Sequence, residues 1–194
     1  KKIIPFKKFG TAMIPNKSVQ IEVATARTES YNDDSRKPSE VVYTNLKGDL
    51  LRRDFTINAM AMDILPDTFG NLTDPFGGIA DIDKKILRTP LDPDETFSED
   101  PLRMMRAAYF ASKLGFTIEK ECRASMKRQA YRIDIVSWER IRDEFIKVLK
   151  TIKPSVGLLI LQKTGLMETI FSEIHVMYGL SLIHIGRRRR RRRG

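Results

Sequence analysis

The segment from Pro101 to Gly115, PLRMMRAAYFASKLG, is the feature that most constrains the fold of this chain. Leu102, Met105 and Ala108 recur every three residues, which places them on one face of an α-helix. Pro101 suits the first turn of a helix, and Gly115 suits the position just after its end. The sequence therefore predicts a helix here, with one face packed against a core.

Two further helical patterns follow in the C-terminal half. The first runs from Ser137, a candidate N-cap, to Leu149. Its apolar positions are Trp138, Ile141, Phe145 and Val148. The second runs from Val156 to Gln162 and is closed by Gly165. The second half of the chain is therefore predicted to be all α-helical.

The N-terminal half has strand patterns instead. The segments FGTAMI (9–14) and VQIEVATAR (19–27) contain β-branched residues and flank the turn sequence PNKS, which predicts a β-hairpin. The polar segment YNDDSRKPS (31–39) is predicted to be a loop with a proline stop.

Two segments connect these halves. Residues 49–65 carry a helical apolar pattern through Leu51, Phe55 and Ala59 and merge into a strand-like end. Residues 68–87 are dense in Gly, Asp and Pro, which predicts a compact, turn-rich connection and a domain boundary. The predicted fold class is α+β: a short mixed or antiparallel sheet with a helix, followed by an all-α part.

Charge gives little evidence for a nucleic-acid partner. The formal net charge is +10, but seven of the 35 basic residues form one run, Arg187–Arg193. Without this run, 28 basic residues face 25 acidic ones, which leaves +3. Residues 180–194 join the preceding helical pattern without a turn signal, so we interpret them as a non-native tail. A disordered polybasic arm that binds RNA phosphates is the alternative.

The cysteine and histidine content excludes several kinds of site. The single cysteine, Cys122, cannot form an intramolecular disulfide and is predicted to be a structural thiol. His175 and His184 have no cysteine nearby, so a zinc site is not expected. The sequence has no apolar run of roughly 18 residues and no signal-peptide pattern. These features predict a cytoplasmic protein with no membrane partner.

Two charged motifs carry the candidate chemistry. In RRDFTINA (52–59), guanidinium groups could match phosphate oxygens and a carboxylate could accept from a ribose hydroxyl; a capped, solvated helix start explains the same residues equally well. In EDPLRMMR (99–106), Asp100, Arg103 and Arg106 stand three residues apart on one helix face. They form either a salt-bridge ladder with Asp100 as a cap, or an edge that reads a ligand.

Five segments together are more specific than either motif. They are IEVATAR, DSRKP, RRDFTINAMAMD, DPFGGIADID and EDPLRMMRA. Their order and approximate spacing resemble those of class II nucleotidyltransferases, the family of bacterial CCA-adding enzymes and poly(A) polymerases. The resemblance extends from about Phe9 to Ile170. It implies four parts: a partial nucleotidyltransferase palm or head (1–90), a helical neck (91–150), the start of a helical body (151–179) and the tail (180–194).

The resemblance also implies roles for six nucleotide-binding residues. Arg53 would contact a nucleotide phosphate, Asp54 the ribose, and Asn58 would help to hold the pocket. Asp100 and Arg103 would pair with the Watson–Crick edge of CTP or ATP in place of a template base, and Arg106 would meet the triphosphate.

One position on the same helix departs from the family pattern. The family commonly has an arginine where this chain has Tyr109. Either Tyr109 stacks or packs at that position, or the chain binds the triphosphate more weakly.

The metal-binding elements of the family are the larger departure. Its Gly-rich turn and its Asp-x-Asp pair, which hold two Mg²⁺ ions, would precede Lys1. The pairs Asp81-x-Asp83 and Asp92-x-Asp94 are predicted to have turn and capping roles instead. The family places an acid near the metals at Glu22, which is therefore the candidate catalytic residue; an exposed strand glutamate is the alternative.

The function implied is template-independent addition of CCA to tRNA 3′ ends from CTP and ATP. A poly(A) polymerase of the same family and a non-catalytic RNA-binding module are the alternatives.

We predict that the chain as given does not add CTP or ATP to tRNA, because phosphoryl transfer without the metal pair loses most of its charge stabilisation. The measurement is incorporation of labelled nucleotide into tRNA by the purified chain with Mg²⁺. Metal-dependent incorporation would contradict the prediction and would make Glu22, Asp81 and Asp83 the candidate metal ligands.

Overall fold

The computed structural model describes residues 3–6, 10–15, 21–32 and 35–179 of the chain. Its N-terminal part is built from small antiparallel sheets. Strands β1 (Ile4–Phe6), β2 (Thr11–Ile14) and β3 (Ile21–Ala24) form a three-stranded sheet in the order β1-β2-β3. The hairpin predicted for segments 9–14 and 19–27 is therefore confirmed by the β2–β3 pairing.

A second hairpin lies where a polar loop was predicted. Strand β4 (Arg27–Asn32) pairs antiparallel with β5 (Ser35–Tyr43), with Tyr31 opposite Pro38. The loop predicted over residues 31–39 is therefore wrong. Hairpin pairing uses backbone hydrogen bonds, which polar side chains do not prevent, and register shifts on either side of Tyr31 accommodate the proline.

The helix predicted within residues 49–65 is shorter than expected and begins earlier. Helix α1 (Leu46–Leu51) starts at Asn45, whose side chain accepts the backbone N–H of Gly48 at 2.9 Å. It ends at Leu51, so the other two apolar positions of the predicted helix, Phe55 and Ala59, lie outside it.

A local hydrogen bond explains this early end. The carboxylate of Asp54 accepts the backbone N–H of Phe55 at 2.9 Å, and Phe55 is extended rather than helical. The chain then forms a 3₁₀ turn over Thr56–Asn58 and strand β6 (Ala61–Met62). Phe55 and Ala59 are fully buried, so the apolar pattern predicted burial correctly and the helix wrongly.

The connection over residues 68–87 contains more regular structure than predicted. It holds strand β7 (Leu72–Thr73), helix α2 (Gly78–Lys84) and strand β8 (Ile86–Leu87). The carboxylate of Asp74 accepts the N–H of Gly78 at 2.7 Å and that of Ile79 at 2.9 Å. These bonds satisfy free donors at the start of α2, where the glycines suggested only a turn.

From residue 93 onward the described chain is helical apart from the two-residue strand β9 (Thr117–Ile118), which pairs with β8. The helices are α3 (Pro93–Glu99), α4 (Leu102–Leu114), α5 (Lys120–Gln129), α6 (Trp138–Leu149), α7 (Pro154–Lys163), α8 (Leu166–Ile170) and α9 (Ser172–Met177), with a 3₁₀ segment over Ala130–Ile135. The predicted α+β class and the three predicted helices, α4, α6 and α7, are confirmed. Within the described ranges, no helix is long and apolar enough to cross a membrane.

The acidic pairs have mixed roles. Asp92 caps α3 by accepting the backbone N–H of Asp94 at 2.8 Å, as predicted. Asp94 itself accepts the hydroxyl of Ser125 in α5 at 2.6 Å, and Asp81 is buried and accepts the hydroxyl of Thr56 at 2.6 Å. A turn or capping role is therefore wrong for Asp81 and Asp94, because their carboxylates join elements distant in sequence.

Helix α4 lies at the centre of the core and packs against both α6 and α7. Its buried residues are Leu102, Met104, Met105, Ala107, Ala108, Ala111 and Ser112. The helix ends at Gly115, which adopts a φ of 71° that favours glycine. Burial on this scale is the main contribution to the stability of the helical part.

Trp138 is an exception to the predicted burial of α6. Its side chain is 53% exposed, whereas Ile141 and Val148 are buried. It is the first residue of the helix, so it extends past the face that packs on α4 and meets the ring of Phe171 edge-on at 5.4 Å.

We expect Gly157→Ala to destabilise the helical part by about 1 to 3 kcal/mol, because overpacking a close helix contact forces displacement. A Cβ at Gly157 would lie 2.6 Å from Cγ1 of Val148 and 3.1 Å from the carbonyl oxygen of Ala108. Thermal melting is the measurement, with Ser155→Ala on the exposed side of the same helix as the control. Equal melting temperatures for the two variants would contradict the tight packing of α7.

Candidate functional site

A polar cavity of about 690 Å³ lies between the segment after α1, the first half of α4 and one face of α6. The six residues predicted to bind a nucleotide all line it. They are Arg53, Asp54, Asn58, Asp100, Arg103 and Arg106. The two motifs, about 50 positions apart in sequence, therefore meet at one site. The nucleotide-binding role of these residues stays a prediction.

Asp54 is a buried acid of the cavity, and its residue is 7% exposed. Oδ1 accepts the backbone N–H of Phe55 and the amide of Asn58, at 2.9 and 3.1 Å. Oδ2 accepts the Nε–H of Arg106 at 2.8 Å, and Nη2 of the same guanidinium lies 2.6 Å from Oδ2 as an ion pair. Asp54 therefore accepts three hydrogen bonds, two at Oδ1 and one at Oδ2, and the guanidinium of Arg106 lies against Oδ2.

Arg106 stands between two acids. Besides its bonds to Asp54, its Nη1 lies 3.8 Å from Oε1 of Glu144 on α6. Its guanidinium also lies over the ring of Phe110, 5.3 Å from the centroid. The family resemblance implied that Arg106 and Asp54 each contact a nucleotide, whereas the structure pairs them with each other.

Arg103 is fixed by three contacts. Its Nη1 donates to the carboxylate of Glu99 and to the carbonyl of Thr96, both at 3.2 Å. Its Nη2 donates to the carbonyl of Arg52 at 2.6 Å. Burial raises the pKa of Glu99, and the charge of Arg103 partly opposes this rise. The Arg52 contact joins α4 to the segment after α1, so the orientation of Arg103 depends on both.

Asp100 makes the capping contact of the first of its two predicted roles, and the ligand-reading role stays a prediction. Its Oδ1 accepts the backbone N–H of Leu102 at 3.0 Å, which caps the start of α4. Its Oδ2 lies 3.5 Å from Nη2 of Arg140 on α6, and the residue lines the cavity. The capping contact is present, and it leaves the carboxylate at the cavity wall.

The row of charged residues on α4 ends at Arg106. Tyr109 is not among the described residues that line the cavity. Its ring packs on Phe110 with centroids 5.1 Å apart and carries the ammonium of Lys113 at 5.4 Å. Tyr109 therefore packs beside the cavity, in agreement with the first of its two predicted roles.

The two arginines of the first motif, Arg52 and Arg53, also pair with an acid. The carboxylate of Asp49 binds Arg52 at 2.6 Å and Arg53 at 3.0 Å. The Arg53 side chain is 48% exposed, so it can turn toward a ligand at little cost.

Sequence reasoning missed the wall that α6 contributes. Its lining residues are Arg140, Asp143, Glu144 and Lys147. Their spacing of three and four puts them on one face of a helix, and that period was the signal available. The sequence could not show that this face meets α4.

The described residues do not fit a Mg²⁺ pair. They contain no group of three or more His, Cys, Asp or Glu side chains placed to hold a metal ion. Glu22, the candidate catalytic residue, lies on β3, whose four residues are all exposed, and it is not among the described residues that line the cavity. Its proximity to a metal stays a prediction.

Two family models match most of the chain. The poly A polymerase head domain matches residues 1–88, and the probable RNA and SrmB-binding site of polymerase A matches residues 115–177. The CCA-adding enzyme of Bacillus pumilus is 42% identical over 165 residues, which cover 84% of this chain and 40% of that enzyme. The CCA-adding enzyme of Bacillus subtilis is also 42% identical, covering 84% and 41%.

The chain is also similar to solved structures of CCA-adding enzymes and tRNA nucleotidyltransferases. The Bacillus stearothermophilus CCA-adding enzyme in complex with CTP aligns with a TM-score of 0.74 and 36% identity, over 86% of this chain and 39% of that one. A tRNA nucleotidyltransferase complexed with a primer tRNA and an incoming ATP analog aligns with a TM-score of 0.73 and 31% identity, over 88% and 47%. The chain spans about 40% of the length of the curated relatives it matches.

We expect Cys122 to be unreactive toward thiol reagents at pH 8, because burial raises its pKa to about 11 and the thiolate is the reacting form. The rate of reaction with a chromogenic disulfide is the measurement, and the chain unfolded in guanidinium is the control. Modification at the same rate in both states would show that Cys122 is accessible and ionised.

Proposed function

The chain belongs to the class II nucleotidyltransferase family, and from that membership we propose that its cavity binds CTP and ATP for addition to the 3′ end of tRNA. The observation that carries the proposal is the meeting of both motifs at one cavity. The matched relatives support CCA addition over poly(A) synthesis, since they carry the name CCA-adding enzyme.

The chemistry of α4 supports a choice of base. Cytosine and adenine both present an amino donor, whereas uracil and guanine present a carbonyl acceptor at the corresponding position. Asp100 supplies an acceptor for the amino group, and the guanidinium of Arg103 supplies donors for the neighbouring ring nitrogen. A uracil or guanine carbonyl would instead face the carboxylate of Asp100, which repels it.

The arginines of the cavity supply the anion-binding part of the proposal. In it, Arg53 and Arg106 bind the triphosphate, since guanidinium donors match phosphate oxygens. Asp54 accepts from the ribose, and Asn58 holds the carboxylate of Asp54 in place through its amide. The six residues then contact the base at one end of the site and the phosphates at the other.

The complete reaction extends beyond the described residues. We include Mg²⁺ in the proposal, with its ligands outside them, and tRNA as the acceptor of the nucleotide. The division into head (1–90), neck (91–150) and body (151–179) and a cytoplasmic location belong to the same proposal.

We expect Asp100→Asn to lower the preference for CTP and ATP over UTP and GTP by about tenfold, because asparagine places an amide donor where the proposal needs only acceptors. Asparagine caps a helix about as well as aspartate, so melting should not change. The measurement is calorimetric binding of the four triphosphates to the purified chain.

The matched control is Asp92→Asn, which changes the cap of α3 outside the cavity. If Asp100→Asn leaves both selectivity and melting unchanged, Asp100 is only a cap. If the unsubstituted chain binds the four triphosphates equally, base selection by this helix is wrong.

A further inference from the structure

The contacts that Asp54 already makes conflict with its proposed contact to a ribose. Oδ1 already accepts two hydrogen bonds, and both Nε and Nη2 of Arg106 lie within 2.8 Å of Oδ2, so a ribose hydroxyl needs one of these groups to move before it can donate to the carboxylate. The Phe55 donor is the adjacent backbone N–H, and Asn58 lies in the turn that follows. Arg106 is the donor able to leave, because it is a long, flexible side chain that is 33% exposed.

Glu144 on α6, in contrast to Asp54, has too few hydrogen-bond donors around its carboxylate within the described residues. The residue is 4% exposed, and its Oε1 accepts from the ammonium of Lys147 at 2.6 Å. Its Oε2 is buried, and no donor among the described residues bonds to it. A buried carboxylate oxygen without a partner is costly, so it favours any conformation that brings it a donor.

A single movement of Arg106 can free Oδ2 of Asp54 and bring a donor to Glu144. Its Nη1 already lies 3.8 Å from Oε1 of Glu144, so a small rotation brings the guanidinium within hydrogen-bonding distance of the carboxylate. The cationic side chain then keeps an acidic partner inside the cavity, which it would otherwise lose on leaving Asp54.

We propose that a bound ribonucleotide displaces Arg106 from Asp54 onto Glu144, which makes Glu144 a positioning residue for the nucleotide site. The inference rests on the proposed function, since it takes Asp54 as the acceptor of a ribose hydroxyl. Because of this exchange, nucleotide binding depends on the ribose hydroxyls. A nucleotide without them has no donor to replace Arg106 at Asp54. The N–H groups of Arg106 that Glu144 leaves free then face the triphosphate.

The test compares CTP with 2′,3′-dideoxy-CTP, which lacks the hydroxyls, by calorimetric binding to three forms of the full chain. The forms are the unsubstituted chain, Glu144→Gln and the control Glu139→Gln, an exposed acid of the same helix that does not line the cavity. We expect the unsubstituted chain and the control to prefer CTP by about tenfold. Glu144→Gln should weaken CTP about tenfold and leave 2′,3′-dideoxy-CTP unchanged, because only the ribonucleotide requires the charged acceptor.

Other outcomes overturn the inference in distinguishable ways. Equal losses for both nucleotides in Glu144→Gln would make Glu144 a structural residue, and no loss for either would remove it from the site. Failure of the unsubstituted chain to bind any nucleoside triphosphate would overturn the proposed function itself. Binding of CTP with no preference over 2′,3′-dideoxy-CTP would keep that function and overturn the exchange.

A crystal structure of the unsubstituted chain with CTP tests the same movement without any substitution. We expect a nitrogen of Arg106 within about 3.2 Å of Oε2 of Glu144, and a ribose hydroxyl within about 3 Å of Asp54. If Arg106 keeps its hydrogen bond to Asp54 with CTP bound, the exchange does not occur.

Discussion

The ion pair between Asp54 and Arg106 is the contact on which the cavity depends, because it joins residues 52 positions apart. Removing Arg106 would leave the carboxylate of Asp54, whose side chain is 8% exposed, without its cationic partner, which costs more than a fully exposed ion pair contributes. Phe55 beside it is fully buried and meets the ring of Phe110 edge-on at 5.9 Å. The polar contact and the apolar contact thus fix the same turn against the same helix.

Acidic residues hold most of the other cations of the cavity. Asp49 pairs with two arginines, Glu99 with Arg103, and Glu144 with Lys147. Cations clustered without acids would repel one another and would point outward into solvent. Paired in this way, they keep defined positions before a ligand arrives, and less side-chain ordering remains to be done on binding.

Periodicity predicted the faces of the helices well. Arg103 and Arg106 lie on one wall of the cavity, as their three-residue spacing in α4 requires. Asp100 also lines the cavity, but its backbone is extended and it precedes α4, so its predicted place on the same helix face is wrong. The aspartates were the less predictable part. Asp92 is a cap, whereas Asp54 and Asp94 also bond to groups far away in sequence. One side-chain type serves both purposes, and only tertiary packing decides which.

The wall formed by α6 was out of reach of sequence reasoning for a related reason. In the sequence, Glu144 is one charge among several on an amphipathic helix, and exposure is the usual outcome for such a residue. It is buried because α6 lies across α4 at that point. Oε2 of Glu144 lacks a donor among the described residues because of how α6 packs on α4, and the sequence pattern of neither helix shows that packing.

The packing of α4 between α6 and α7 gives the site its geometry. Asp100 lies just before α4, and the rise of about 1.5 Å per residue places Arg106 about 6 Å along the axis from the first residue of the helix, Leu102. One rigid helix can therefore offer an acceptor at one end and a cation at the other with a fixed spacing between them. A loop would have to be ordered by the ligand to do the same, and the cost of that ordering would reduce affinity. The buried face of α4 thus keeps the polar groups on its other face at fixed positions.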